Sequence, residues 1–324
     1  MKSFIAAIIV VTAASSLHAV TPDGKQKLVL IAGKPSHPPG MHEFRAGTML
    51  LEKCLKSVPN LVVDRHEQGW VSDEKTFEDA DAVVIYADGG GKHPAVVDGH
   101  LETLHKLIAK GMGFGCMHYG VEIVPADAGK EFQAWLGGHY ENAYSCNPIW
   151  DANYTELPKH PVTNGVQPFT TKDEWYFHMR FRPAFGHGVA PADDNGAKFA
   201  PILIATPSDA TRDGPYVYPK GPYPHIQAEK GSPETMMWTI ERADGGRGFG
   251  FTGGHFHDNW GNDNVRKAVL NALLWVSKAE VPANGVESVV TPDDLKQNLD
   301  PKNAPMPKSA DLGTPRVFQR VAAR

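Results

Sequence analysis

Three apolar runs punctuated by glycine are each followed closely by histidine. Leu28-Val29-Leu30-Ile31-Ala32-Gly33 leads to His37, His42 and Glu43; the run from Gly111 to Met117 leads to His118; the run from Gly248 to Gly254 leads to His255, His257 and Asp258. Runs this short and this continuously apolar read as strands buried on both faces, as in a parallel sheet covered by helices. In an open sheet of that kind, ligands bind in the crevice outside the carboxyl ends of the strands. The pattern therefore predicts that three histidine groups, far apart in sequence, share one site.

The rest of the chain supports that architecture. Apolar strands are expected over 27–32, 61–63, 82–86 and 112–117, alternating with helices over 43–55, 94–110 and 128–136. In the first helix Phe44, Ala46, Met49, Leu50, Cys54 and Leu55 recur at helical spacing around charged Glu52 and Lys53, which makes one buried face. Such alternation is what a doubly wound sheet requires. The segment 137–231 breaks the rhythm with many prolines and aromatics, and reads as an insertion of antiparallel strands and long loops on the same domain. Two strands, 236–241 and 248–252, return around the turn Asp244-Gly245-Gly246, and a helix over 264–278 closes the domain. The predicted class is α/β: a flavodoxin-like, doubly wound, mostly parallel sheet with an elaborated insertion of strands and loops. The domain spans 20–280, and the proline-rich tail 281–324 is expected to wrap the surface or to be partly disordered.

The amino terminus reads as an export signal. Lys2 precedes the apolar, small-residue run from Phe4 to Ala14, and Ser15-Ser16-Leu17-His18-Ala19 follows, so residues 1–19 form a signal peptide with cleavage expected after Ala19. The apolar run is shorter than the ~20 residues a membrane span needs. The mature chain is thus expected to be secreted or periplasmic, with no membrane association. A net charge of −5 and a sequence pI near 6.3 lack the basic excess that nucleic-acid binding needs. Three cysteines, Cys54, Cys116 and Cys146, are too few for a disulfide framework and contain no Cys-x-x-Cys pair.

Leu28 to Glu43 with its Gly-Lys-Pro-Ser-His loop, Asp173-Glu174-Trp175-Tyr176-Phe177, and Gly246-Arg247-Gly248-Phe249-Gly250 running into Gly254-His255 together resemble the ThuA-like (trehalose-utilisation) family, over about residues 27–277. The resemblance implies a flavodoxin-like fold related to class I glutamine amidotransferases and a link to carbohydrate metabolism, of keto-sugars in particular. Those amidotransferases carry a nucleophilic cysteine on the turn after the strand that 111–117 resembles. Here His118 holds the turn and Cys116 lies inside the strand, where no cation or helix terminus lowers a thiol pKa.

His118, His42 and His255 are accordingly the expected reactive and metal-binding cluster, with Glu43 or Glu174 as general base or as orienter of an imidazole. Trp175, Tyr176, His178 and His139 are the expected substrate-binding residues, with Tyr140 and Trp260 as further aromatics. His37, His93, His257 and Asp173 are weaker candidates. Neutral imidazoles with one or two carboxylates are the usual ligands of zinc or a similar divalent metal, but the same groups suit metal-free proton transfer. Both uses stay open from the residues alone. No Gly-x-Gly-x-x-Gly follows the first strand, so no nicotinamide is expected. The expected function is an exported carbohydrate-processing enzyme, a hydrolase, lyase or isomerase acting on a keto-sugar or glycoside derivative. The alternative is a non-catalytic carbohydrate-binding or accessory protein. A small-molecule carbohydrate is the expected partner, and an oligomer is compatible with the sequence.

Overall fold

The structure is a computed structural model that describes residues 24–302; the expected signal peptide and the tail beyond 302 lie outside the described residues. Twelve strands and six α-helices follow in order: β1 (Gln26–Ala32), α1 (Phe44–Leu55), β2 (Leu61–His66), β3 (Ala82–Tyr86), α2 (His100–Ile108), β4 (Gly113–Met117), α3 (Pro125–Trp135), β5 (Gly138–His139), β6 (Trp150–Tyr154), β7 (Phe169–Asp173), β8 (Arg180–Phe181), β9 (Ala192–Asp194), β10 (Ala197–Ala205), α4 (Asp209–Asp213), α5 (Pro224–Ala228), β11 (Glu234–Glu241), β12 (Arg247–Phe251) and α6 (Asp263–Val276).

Eight strands form one sheet in the order β2-β1-β3-β4-β12-β11-β10-β9. The first five are mutually parallel and the last three pair antiparallel. This is the flavodoxin-like order extended by an antiparallel edge, as the sequence leads one to expect. The alternation along β1 explains its unbroken apolar run. Leu28, Leu30 and Ala32 pack into one core with α1 and α6, while Val29 and Ile31 pack into a second core with Leu104 of α2 and Phe132 of α3. Each such side chain, moved from water into either core, contributes roughly 1.5–3 kcal/mol.

The insertion supplies two small antiparallel pairs, β5 with β8 and β6 with β7, and lends β9 and β10 to the main sheet. Two helix boundaries differ from expectation. α2 begins at His100 rather than near Pro94 because Asp98 (φ 56) and Gly99 (φ 82) take left-handed conformations, which interrupt a helix. α3 starts early, at Pro125, where the fixed φ of proline suits the first helical position. No described helix is long and apolar enough to cross a membrane.

After α6 the chain runs back over the domain. Val286 is buried and its N–H donates to Asn271 Oδ1 (2.9 Å), Arg266 Nε donates to Ser288 Oγ (2.9 Å), and Asp300 N–H donates to Glu43 Oε2 (2.8 Å). The described part of the tail therefore lies along the surface and ends against the loop that follows β1.

Candidate functional site

The carboxyl ends of β1, β3, β4 and β12 meet at one place. His42 follows β1, Asp88 follows β3, His118 follows β4 directly and His255 follows β12. His42 (φ 48) and His118 (φ 52) both have left-handed backbones, which non-glycine residues keep only where the surroundings hold them and which cluster at functional sites. The turn before His255 depends on glycine for two reasons. A Cβ on Gly253 would lie 2.4 Å from the Trp175 ring, and Gly254 sits at φ +99. Asp173, at the end of β7, then fixes the turn: its carboxylate accepts from the N–H groups of Gly254 (2.7 Å), His255 (3.1 Å) and Phe256 (3.3 Å).

Three imidazoles and one carboxylate face one another in the resulting cluster. His42 Nε2 lies 3.0 Å from both His118 Nε2 and His255 Nδ1, and His255 Nδ1 lies 3.3 Å from His118 Nε2. Glu174 Oε2 is 2.6 Å from His255 Nδ1 and 3.6 Å from His118 Nε2. All four side chains are buried. Burial, more than the neighbouring imidazoles, holds His42 and His118 well below the usual histidine range, and both are neutral at neutral pH. Burial also pushes the Glu174 carboxyl up, opposed by His255.

The outer contacts fix the tautomers. His118 Nδ1 faces the Thr252 carbonyl at 3.0 Å and His42 Nδ1 faces an Asp88 carboxylate oxygen at 2.7 Å. Both partners can only accept, so each ring carries its proton on Nδ1 and turns a bare Nε2 inward. Two lone pairs 3.0 Å apart repel unless a cation or a proton lies between them. A tetrahedral zinc shell with ligands at 2.0–2.1 Å has edges of about 3.3 Å, close to the nitrogen spacings here. Metal-bound histidines characteristically donate their other N–H to a carboxylate or carbonyl, as both of these do. The donor set thus fits a divalent metal, and His42, His118, His255 and Glu174 are the residues that could hold it. A second group, His37, His42 and Asp88, shares His42 and is more open.

The surroundings are aromatic and polar. The His37 ring stacks on His42 (centroids 3.5 Å apart, 24° between planes) and is exposed at the mouth, where burial of part of the ring lowers its pKa to about 4. Tyr176 Oη is 3.3 Å from His118 Nε2. Asn147 donates to Glu174 Oε1 (2.9 Å) and accepts, at Oδ1, from the N–H of exposed Tyr218 (3.1 Å), so the proline- and tyrosine-rich loop 214–223 is tied to the site carboxylate. On the far side of Asp88 lies a cleft of about 400 Å³ that includes Gly33, Pro35, Trp70, Lys92 and His100.

Several candidates lie elsewhere. Glu43 does not join the cluster: its carboxylate accepts from Gly40 N–H (2.9 Å) and Asp300 N–H and pairs with Lys302 (3.2 Å), so it anchors a loop and the tail. The Trp175 ring is wholly buried and donates to the Thr171 carbonyl (3.1 Å). With its faces packed in the core, it offers no surface for stacking a ligand. His178 pairs with Glu234 (3.7 Å) beside Tyr144, and His139 is buried against Gly129; neither belongs to the imidazole group. His93 spans the turn between Gly120 and Ala95. His257 is buried, with neither ring nitrogen paired among the described residues. Cys116 is buried inside β4 and burial pushes its thiol well up, while all three cysteines are free. Asp88, Asn147, Tyr119 and Glu122 were not singled out from the sequence. For Asp88 the available signal was an acid two residues past the end of a buried strand.

The family model described as ThuA, trehalose utilisation, matches residues 29–276. The chain belongs to the ThuA family. Its fold is similar to two solved ThuA-like proteins. One, from Bacteroides uniformis ATCC 8492, is 13% identical with a TM-score of 0.52, over 78% of this chain and 91% of that one. The other, from Parabacteroides merdae ATCC 43184, is 16% identical with a TM-score of 0.50, over 83% and 94%. No curated protein matches. In this ThuA-family chain the matched span contains His42, His118, Glu174 and His255.

Proposed function

We propose that this ThuA-family chain is an exported enzyme that processes a keto-sugar or glycoside derivative at a divalent metal, zinc or a similar ion, held by His42, His118, His255 and Glu174. The observation that carries the reading is the convergence of four buried ligand atoms from separate strand ends and loops, with two bare imidazole nitrogens turned toward each other. The family description, trehalose utilisation, supports a carbohydrate as substrate. A bound divalent ion supplies Lewis-acid polarisation of a carbonyl or glycosidic oxygen.

The chain's own groups have definable parts. Asp88 and the Thr252 carbonyl hold the rings of His42 and His118 in the inward-facing tautomer. Asn147 fixes one oxygen of Glu174 and leaves the other toward the imidazoles. Tyr176 brings a hydroxyl to the same point, held protonated because burial pushes its pKa well up, so it is placed to donate to a developing oxyanion. Exposed His37 covers the entrance.

The 2.6 Å contact of His255 with Glu174 favours a second reading, in which this pair moves a proton without a metal. One experiment separates them: metal analysis by plasma mass spectrometry of the untagged mature protein, with His118→Ala and His255→Ala beside it. Near-stoichiometric metal that falls in both variants is expected. A wild type that stays free of metal after reconstitution would leave proton transfer by the His255–Glu174 pair.

A further inference from the structure

Next to the imidazoles lie two polar groups that the site described so far does not use. The Tyr140 side chain is 1% exposed, and its hydroxyl has no hydrogen-bond partner among the described residues. Glu122, four residues after His118 and half-buried, has neither an ion pair nor a side-chain hydrogen bond among the described residues. Glu122 and Tyr140 pair in an isolated parallel bridge, with Tyr140 N–H donating to the Val121 carbonyl (2.9 Å). Residues paired across a ladder send their side chains to the same face. Consistent with that, Glu122 is the foremost charge acting on the Tyr140 hydroxyl. The Tyr140 ring lies 5.1 Å from the ring of Tyr176, which in turn touches His118.

Burying a hydroxyl without a partner is costly, and native structures keep few such groups without a reason. Phenylalanine would fill the same space at no such cost. The wall over Glu122 is also unusual: the Gly89-Gly90 turn covers it with backbone alone. A Cβ on Gly90, which sits at φ +66, would stand 3.5 Å from Glu122 Oε1 and 3.9 Å from Tyr119 Oη. Burial, with Glu174 adding to it, pushes Glu122 up to about 7, so near neutrality its carboxyl can both donate and accept. A ligand group that both donates and accepts, such as a hydroxyl, matches Glu122 and Tyr140 together.

We propose that Glu122 and Tyr140 form a polar subsite that binds hydroxyl groups of a neutral sugar whose reacting end lies at the imidazole cluster. This rests on the carbohydrate reading above and adds to it the residues that select the substrate. Tyr119, half-buried between Glu122 and the mouth, lines the same wall.

The test uses full mature protein whose metal content has been measured, titrated by calorimetry with D-fructose, D-glucose and methyl α-D-glucopyranoside. Wild type is expected to bind at least one of the three. Glu122→Gln and Tyr140→Phe, both nearly isosteric, are expected to weaken that sugar at least 10-fold while metal content stays as in wild type. Melting temperature is expected to be unchanged or higher in Tyr140→Phe, which a purely structural role for that hydroxyl would not give. Variants that bind like wild type, or a wild type that binds none of the three sugars, would overturn the proposal. Metal content answers separately. Sugar binding lost in the variants of a metal-free wild type sinks the metal reading and keeps the subsite; metal bound without sugar binding does the reverse.

Discussion

The Asp88 carboxylate lies 2.7 Å from Nδ1 of His42, on the edge of the ring turned away from His118 and His255. That one contact sets which nitrogen of His42 points inward. Partners of this kind are typically worth 10–100-fold in metal affinity. Asp88→Asn is therefore expected to weaken metal binding by roughly that factor without unfolding the protein, measured by competition against a chelator of known affinity. Equal affinity in the variant would mean that His42 is not a ligand or that its orientation is set elsewhere.

Asp173 does a different job from Glu174, its neighbour. Its carboxylate serves the N–H groups of Gly254, His255 and Phe256 at once. Asp173→Ala leaves these buried donors without an acceptor and is expected to cost on the order of 3 kcal/mol. Asp173→Asn keeps one carbonyl oxygen and is expected to cost less. Urea unfolding of the two variants reads the difference, and identical loss in both would show that charge rather than hydrogen bonding holds the turn.

Acid is expected to destabilise the fold as soon as the pH falls below the ordinary histidine range. Burial lowers His93 and His139 from 6.5 to about 4. Between those values the unfolded chain binds more protons than the folded one, so the stability these residues contribute is full above about pH 6.5 and is lost as pH falls toward 4. His139 has no hydrogen-bond partner for either ring nitrogen among the described residues. His139→Phe is accordingly expected to flatten the fall in melting temperature over that window, and a curve parallel to wild type would exclude His139 as a contributor.

Cys116 offers a check on the amidotransferase comparison. A thiol at 0% exposure whose pKa burial pushes well up is poorly nucleophilic. Iodoacetamide is expected to leave Cys116 unlabelled in the native protein and to modify it quickly in denaturant, with peptide mass spectrometry as the readout. Rapid native labelling would reopen cysteine chemistry.

The strand ends were legible because each strand is buried on both faces and must be apolar throughout, which makes β1, β3 and β4 visible as uninterrupted runs. His42, His118 and His255 lie in the loops and turns that follow β1, β4 and β12, so the three could be placed at one crevice from topology alone. Glu43 shows where such reasoning stops. At a helix start it looks like a residue of the site, yet its partners are Asp300 and Lys302, which no local pattern connects to it. Asp88 is not legible as a site residue because an acid next to three glycines, Gly89, Gly90 and Gly91, carries no periodic signal. Trp175 and Tyr176 are adjacent and equally aromatic, but only the fold decides that one ring fills the core while the other reaches His118.

Lys302 donates to the carbonyls of Met41 and His42 and pairs with Glu43, closing a loop from a position 260 residues after His42. On a growing chain the strands and the other two imidazoles are synthesised well before that lysine. The His42 loop is then the last part of the cluster to be fastened, and a chain cut before residue 300 keeps its whole sheet but lacks the latch that secures one of the three rings.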